Sequence, residues 1–205
     1  MAEAGTRERL MEAGAELFYA KGYNAVGVQE VCRAASAHKG SFYYFFDSKE
    51  ALMTAIIEEG RGAPGIVLGS PPPGVRGRDL AIMAYDAAAA EVDAQYRLEG
   101  HIKGCPVGSV AAEIATQSEP IRGAACGVLD FMAETIAEVV RRAIAEGDVT
   151  GDADPGAIAE RAVAYVQGAL LLSKTRNDPK VFASLKPGYL LLLGIEGHPK
   201  PPRSQ

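Results

Sequence analysis

Residues 6–59 read TRERLMEAGAELFYAKGYNAVGVQEVCRAASAHKGSFYYFFDSKEALMTAIIEE, and the order of breaks within this stretch decides the fold. Leu10, Gly14, Leu17 and Phe18 recur at helical spacing, so a first helix is expected from about Arg7 to Ala20. Thr6 suits its N-cap, Glu8 favours the positive end of its dipole, and Lys21-Gly22 provides a stop. After a turn from Asn24 to Gly27, residues Val28 to Ala35 predict a short second helix. Ser36 and Ala37 turn the chain, Lys39 to Phe45 predict a third helix, and Asp47 or Ser48 caps a fourth that ends near Gly60. Asp47 and Glu50 have the spacing of a capping box.

The second and third helices, joined by a short turn, have the length and spacing of a helix-turn-helix. In such a unit the second helix presents its N-terminal residues to base edges, and here those are His38, Lys39 and Ser41. Lys39 and the helix N-terminus suit phosphate oxygens, and Gly40 lets the backbone approach a duplex closely. Tyr43 and Tyr44 can reach phosphates or the methyl group of thymine. The aromatic run Phe42 to Phe46 also has a plainer use as core. At helical spacing Phe42, Phe45 and Phe46 cannot all face solvent, so Phe42 and Phe46 are assigned to packing against the first and fourth helices.

Charge pulls the other way. The chain nets −5, and residues 1–60 hold six Lys and Arg against nine Asp and Glu, a net of −3. Binding to a polyanion then has to rest on a local patch, for which Arg33, His38, Lys39 and Lys49 are available in or beside the third helix. The 205 residues, 48% of them hydrophobic, suffice for one domain or two small ones. No apolar run approaches the roughly 20 residues of a membrane span, and MAEAGTRERL lacks the apolar core of a signal peptide. Three cysteines, at 32, 105 and 126, imply no disulfide framework and fit a reducing cytoplasm.

Beyond residue 60 the stretch RGAPGIVLGSPPPGVRGR (61–78) cannot continue a helix and marks a domain boundary. Helices are then expected from Asp79 to Glu99, from Pro106 to Ser118, from Pro120 to Glu146, from Asp154-Pro155 to Arg176 and from Pro179 to Gly194. No segment has strand periodicity. The expected organisation is all-α: a DNA-binding domain over 1–60, a Pro/Gly-rich linker loop over 61–78, a larger helical domain over 79–196, and a disordered tail over 197–205.

The N-terminal stretch resembles the DNA-binding domain of the TetR family of one-component regulators, whose members commonly read TxxxIxxAAxxLFxxxGYxxTSVxxIAxxAGVSKGxxYxHFxSKExL. Thr6, Leu10, Ala13, Leu17, Phe18, Gly22, Tyr23, Val28, Val31, Ala35, Lys39, Gly40, Tyr43, Phe46, Ser48, Lys49, Glu50 and Leu52 stand in the matching places without a gap. The chain departs at Val26-Gly27, where the usual Thr-Ser and its side-chain N-cap are absent, and at Ser36, His38 and Phe45, which replace a turn Gly, a Ser and a His. The resemblance implies a helix-turn-helix DNA-binding domain contacting DNA through Gln29, His38, Lys39, Gly40, Ser41, Tyr43, Tyr44 and Lys49. It further implies a homodimer on a palindromic double-stranded operator, a small-molecule inducer, and repression as the outcome.

The same resemblance places dimerisation and ligand binding in the helical region after the linker. Ile158, Ala162, Val166 and Ala169, with Phe182, Leu185, Tyr189 and Leu192, make two strongly apolar helices and are the dimer candidates. A pocket would draw on Met83, Tyr85, Tyr96, Phe131, Met132 and Tyr165, each of which also reads as core. GCPVGSVAAE (104–113) and QGALLLSK (167–174) resemble stretches of a TetR subgroup in which some members sense electrophiles or oxidants through a cysteine and others bind aromatic or lipophilic ligands. A thiol just before a helix N-terminus gains from the dipole, so Cys105 reads as a sensor with Lys174 beside it, or as a small apolar residue filling space. Cys32 is expected between the first two helices and Cys126 inside the long helix's packing.

His101 has no second ligand at metal spacing, so no metal and no cofactor is expected. An enzyme is the first rival class, yet no GxxxxGK[ST], GxSxG or HExxH is present. An acidic interaction module is the second, and salt-dependent DNA binding separates it from a regulator.

Overall fold

The computed structural model describes residues 2–60, 74–149 and 154–195. Among these residues there are ten helices and no strand: α1 (Ala2–Lys21), α2 (Val28–Ala34), α3 (Lys39–Phe45), α4 (Lys49–Glu59), α5 (Gly77–Glu99), α6 (Pro106–Ile114), α7 (Glu119–Ala145), α8 (Pro155–Arg176), α9 (Pro179–Ser184) and α10 (Lys186–Leu192). The chain is all-α, as its periodicity predicts. Most of the expected linker (61–73) and the whole expected tail (197–205) lie outside the described residues.

Three local readings are corrected. α1 begins at Ala2, so Thr6 lies inside the helix and its Oγ1 accepts from Arg9 Nη2 at 3.0 Å instead of capping. The chain ahead of Thr6 holds good helix formers that let the helix extend. The single helix expected from Pro179 to Gly194 is two, because Pro187 has no N–H and its ring disfavours continuation from the preceding turn. Cys126 is exposed, its thiol donating to Asp130 Oδ2 at 3.5 Å, so it is not interior.

Helix contacts divide the chain into two compact units that do not follow chain order. The first gathers the described residues up to 60 with 103–130, and the second gathers 74–102 with 131–195. α6 and the start of α7 fall in the first unit with the N-terminal helices.

The first unit centres on Leu10, Phe18, Val26, Val31, Phe42, Phe46, Leu52 and Ile57, all buried. α1 and α4 meet at Gly14, where an added Cβ would lie 3.0 Å from side-chain carbons of Leu52 and Ile56. The second unit is built around Leu80, Tyr85, Val140, Ala143, Phe182, Tyr189 and Leu193. Tyr85 stacks on Phe182 with centroids 4.8 Å apart, lies 4.9 Å from the Tyr189 ring, and donates its hydroxyl to the Phe182 carbonyl at 2.7 Å. Burial pushes the Tyr85 phenol well above its ordinary range and that of Tyr189 up to about 12.

This core revises the dimer candidates. Ile158, Ala162, Ala169, Phe182 and Tyr189 are buried among the second unit's own helices, so their side chains are not available to another chain. Val166, Leu185 and Leu192 pack partly against the same core. The large apolar residues that α8 and α10 leave exposed are Leu171, Leu172 and Leu191.

Candidate nucleic-acid interface

α2 starts at Gly27, which has extended backbone and no side-chain cap, as the loss of the usual hydroxyl residue implies. At its end Ser36 N–H reaches the Arg33 carbonyl at 3.2 Å and Ala37 N–H the Cys32 carbonyl at 2.9 Å, while Arg9 Nε donates to the carbonyl of the C-cap Ala35 at 3.2 Å. This closure holds Ser36 at φ 51, a left-handed conformation that disfavours any residue with a Cβ by about 1 kcal/mol. His38 then stands in extended backbone as the N-cap of α3, again without a side-chain cap, which leaves its ring exposed.

α3 divides its residues between core and solvent. Phe42 is fully buried and Phe46, one turn on at the helix end, is 5% exposed, their centroids 5.8 Å apart. His38, Lys39 and Gly40 at its start are exposed, Ser41 is half-buried, and Tyr43 and Tyr44 are 53% and 70% exposed. Each tyrosine is braced by an edge-on phenylalanine: Tyr43 by Phe42 at 5.2 Å, Tyr44 by Phe45 at 4.9 Å. Bracing lowers the entropy that a contact by such a ring would cost. An added Cβ at Gly40 would meet nothing within 4 Å, so no internal packing demands glycine there. Gln29 on α2 is exposed as well.

Lys49 is the exception among the expected DNA contacts. Its ammonium donates to the carbonyls of Tyr23 at 3.0 Å and Val26 at 3.1 Å, and sits 4.0 Å from the centroid of the Tyr23 ring. Burial lowers its pKa, opposed by the charge of Glu113. A side chain so engaged ties α4 to the α1–α2 turn and is not extended toward a phosphate. Ser48 is the cap of α4, its Oγ accepting from Ala51 N–H at 3.0 Å.

The far side of the same turn is held from α6. Glu113 accepts the backbone N–H groups of Tyr23 at 2.9 Å and Asn24 at 2.7 Å. Gly22, at φ +88, makes room: a Cβ there would lie 3.1 Å from Glu113 Oε2. Next to it Ser118 Oγ donates to Glu50 Oε1 at 2.6 Å, Tyr19 hydroxyl donates to the Gly104 carbonyl, and the Lys103 ammonium lies 5.2 Å from the Tyr19 ring centroid. Burial, then Glu50 and Glu113, raises the Tyr23 phenol's pKa. In the sequence Glu113 is only the polar end of GCPVGSVAAE, and no residue type nearby marks the turn as its partner.

The expected pocket residues do not share one environment. Tyr85 belongs to the buried ring stack, and Tyr165 donates its hydroxyl to the Leu185 carbonyl at 2.8 Å, so both are core. Met83, Tyr96 and Phe131 expose large apolar surface, Met132 is half-buried, and Lys174 is exposed in the last turn of α8. Cys105 is half-buried and N-caps α6, its Sγ accepting from Gly108 N–H at 3.3 Å. Among the described residues no cluster of three or more His, Cys, Asp or Glu could hold a metal ion, and no helix is long and apolar enough to cross a membrane.

A short helix with a buried aromatic face and an exposed, braced, partly basic face, entered through a tight turn, defines a helix-turn-helix reader of double-stranded DNA. Comparison with known proteins gives the same class. Residues 10–56 match the model of the bacterial regulatory proteins of the tetR family, and residues 85–187 match the tetracyclin repressor-like C-terminal domain. The transcriptional regulator AcuR of Cereibacter sphaeroides is 34% identical over 180 residues, covering 84% of this chain and 78% of that one. The transcriptional repressor NemR of Escherichia coli K12 is 32% identical over 142 residues, 65% and 68% of the two chains. The crystal structure of the reduced form of E. coli NemR shares the fold, with TM-score 0.77 at 24% identity over 91% and 96%. That of a regulatory protein TetR from Rhodobacter sphaeroides gives TM-score 0.77 at 28% identity over 91% and 96%. The chain belongs to the TetR family of transcriptional regulators.

Proposed function

We propose that the chain is a repressor that binds a palindromic double-stranded operator as a homodimer and releases it when a small apolar or aromatic inducer binds. The observation that carries this reading is the exposed end of α3, where His38, Lys39, Gly40, Ser41, Tyr43 and Tyr44 present polar groups and braced rings, with Gln29 beside them. They are of the types that position on phosphates and touch base edges. The second reading head is supplied by another copy, whose contact runs along the surface of α8 and α10 that carries Leu171, Leu172 and Leu191. An inducer meets Met83, Tyr96, Phe131 or Met132 and shifts the population toward a state whose two heads no longer fit the half-site spacing. The relatives are regulators, and we read this chain as a cytoplasmic regulator without catalysis.

Fluorescence anisotropy on fragments of the DNA flanking the protein's own gene tests this at two salt concentrations. Sequence-specific binding that weakens as salt rises is expected, with Lys39→Ala and Tyr44→Ala each weakening it. Binding without salt dependence or sequence preference would sink the reading.

A second reading makes Cys105 the sensor, because its sulfur caps α6 and modification removes that cap. Operator release by N-ethylmaleimide in the wild type but not in Cys105→Ser would favour thiol sensing. Equal response of the two proteins would remove it.

A further inference from the structure

The α1–α2 turn is gripped from two directions. Its N–H groups at Tyr23 and Asn24 go to Glu113 of α6, and its carbonyls at Tyr23 and Val26 go to Lys49 of α4. The peptide between these grips ends at Gly27, the N-cap of α2, and α2 sets the start of α3 through the tight turn at Ser36. Tyr23 and Val26 bury their side chains in the first unit's core, while the turn's backbone has freedom at Gly22, which is left-handed, and at Gly27, which has no side chain to cap α2. A carboxylate accepting two backbone N–H groups is a strong, directional hold. Gly22 and Glu113 are fitted to one another, since a Cβ at 22 would lie 3.1 Å from Glu113 Oε2.

We propose that Glu113 is the positioning residue through which the placement of α6 is imposed on the α1–α2 turn and, through α2, on the reading helix. Glu113 touches no DNA in this scheme; it acts through the backbone of Tyr23 and Asn24. The proposal rests on the operator-binding reading and assigns the residue that carries regulation to that site. By linkage, if α6 biases operator binding through Glu113, bound operator must bias α6 to the same degree. Cys105 reports on α6 without serving as the site, because its sulfur caps the helix and the reagent must approach that sulfur at the helix start.

The test measures the rate at which N-ethylmaleimide alkylates Cys105, by peptide-resolved mass spectrometry, in the presence and absence of saturating operator. Wild type, Glu113→Ala and Glu113→Gln are compared, each checked by thermal melting. Bound operator is expected to change the wild-type rate about fivefold or more, the low end of ordinary coupling between sites. That ratio should fall to unity in Glu113→Ala, and to an intermediate value in Glu113→Gln, which keeps one carbonyl acceptor for the two N–H groups. The intermediate value is the readout a merely structural role would not give, and Glu113→Gln still tests the proposal if Glu113→Ala fails to fold. An undiminished ratio in a folded variant, or no ratio in a wild type that binds operator, would overturn the assignment. No operator binding by the wild type would instead remove the regulator reading, and this assignment with it.

Discussion

Gly40→Ala adds one methyl group at the second residue of α3, where an ideal Cβ meets no atom of the protein within 4 Å. For the protein alone the change should help. Glycine costs a helix about 0.5–1 kcal/mol relative to alanine, and near the helix start the lower end applies, so a gain of about 0.5 kcal/mol is expected. On DNA the same methyl group stands where the helix would face a phosphate or base edge, and overpacking of a close contact costs about 1–3 kcal/mol. Operator affinity should therefore fall by a factor on the order of 10, while stability rises. Gly123→Ala is the control: Gly123 lies in α7, is exposed, and a Cβ there also meets nothing within 4 Å. It should raise stability and leave operator affinity alone. Calorimetric melting and anisotropy titrations at one fixed salt concentration read both quantities. Two results refute the reasoning: unchanged operator affinity in Gly40→Ala shows that α3 does not approach DNA at this residue, and a loss of stability shows that the site is not open.

Lys49→Met should destabilise the fold by about 1–2 kcal/mol, because two carbonyls lose an ionic donor at a half-buried site. It should leave the slope of log affinity against log salt unchanged, whereas Lys39→Met lowers that slope by about 1 if Lys39 meets a phosphate; an equal change in both would restore Lys49 as a DNA contact. Gly77→Ala should cost about 3 kcal/mol in denaturant unfolding, since its Cβ would lie 2.5 Å from the backbone nitrogen of Ala143, and a cost under about 1 kcal/mol would show the helices free to part there. Glu146 accepts the Gly77 N–H at 2.7 Å and pairs with Arg142 at 3.1 Å, and these, the N–H first, lower its pKa below the ordinary 4.5. Its stabilisation is complete above the ordinary value and drains away as pH falls through the lowered one. The stability gap between wild type and Glu146→Gln should accordingly shrink in acid, and a gap that stays constant from pH 7 to the acid limit of folding would contradict this.

The parts of the fold legible in the sequence are those written in periodicity and in breaks. The buried partners Leu10, Phe18, Phe42 and Phe46 follow from apolar spacing, and the exposure of Tyr43 and Tyr44 follows by subtraction once two phenylalanines have taken the inner face. Three other features escape that logic, two of them for one shared reason. Lys49 reads as a free cation in a basic patch, yet what it meets is backbone: the carbonyls of Tyr23 and Val26. Glu113 reads as the polar end of a motif, and its partners are the N–H groups of the same turn, some ninety residues back along the chain. Ala162 and Phe182 read as dimer candidates, and they are consumed by their own unit's core. A hydrogen bond from a side chain to distant main chain leaves no trace in residue type, because every residue there offers the same N–H and carbonyl. The residues that report the fold in this family's reading head are therefore the apolar ones. Those that connect it to α6 are polar, aimed at backbone, and visible only once the turn at Gly22 is seen to leave space for a carboxylate.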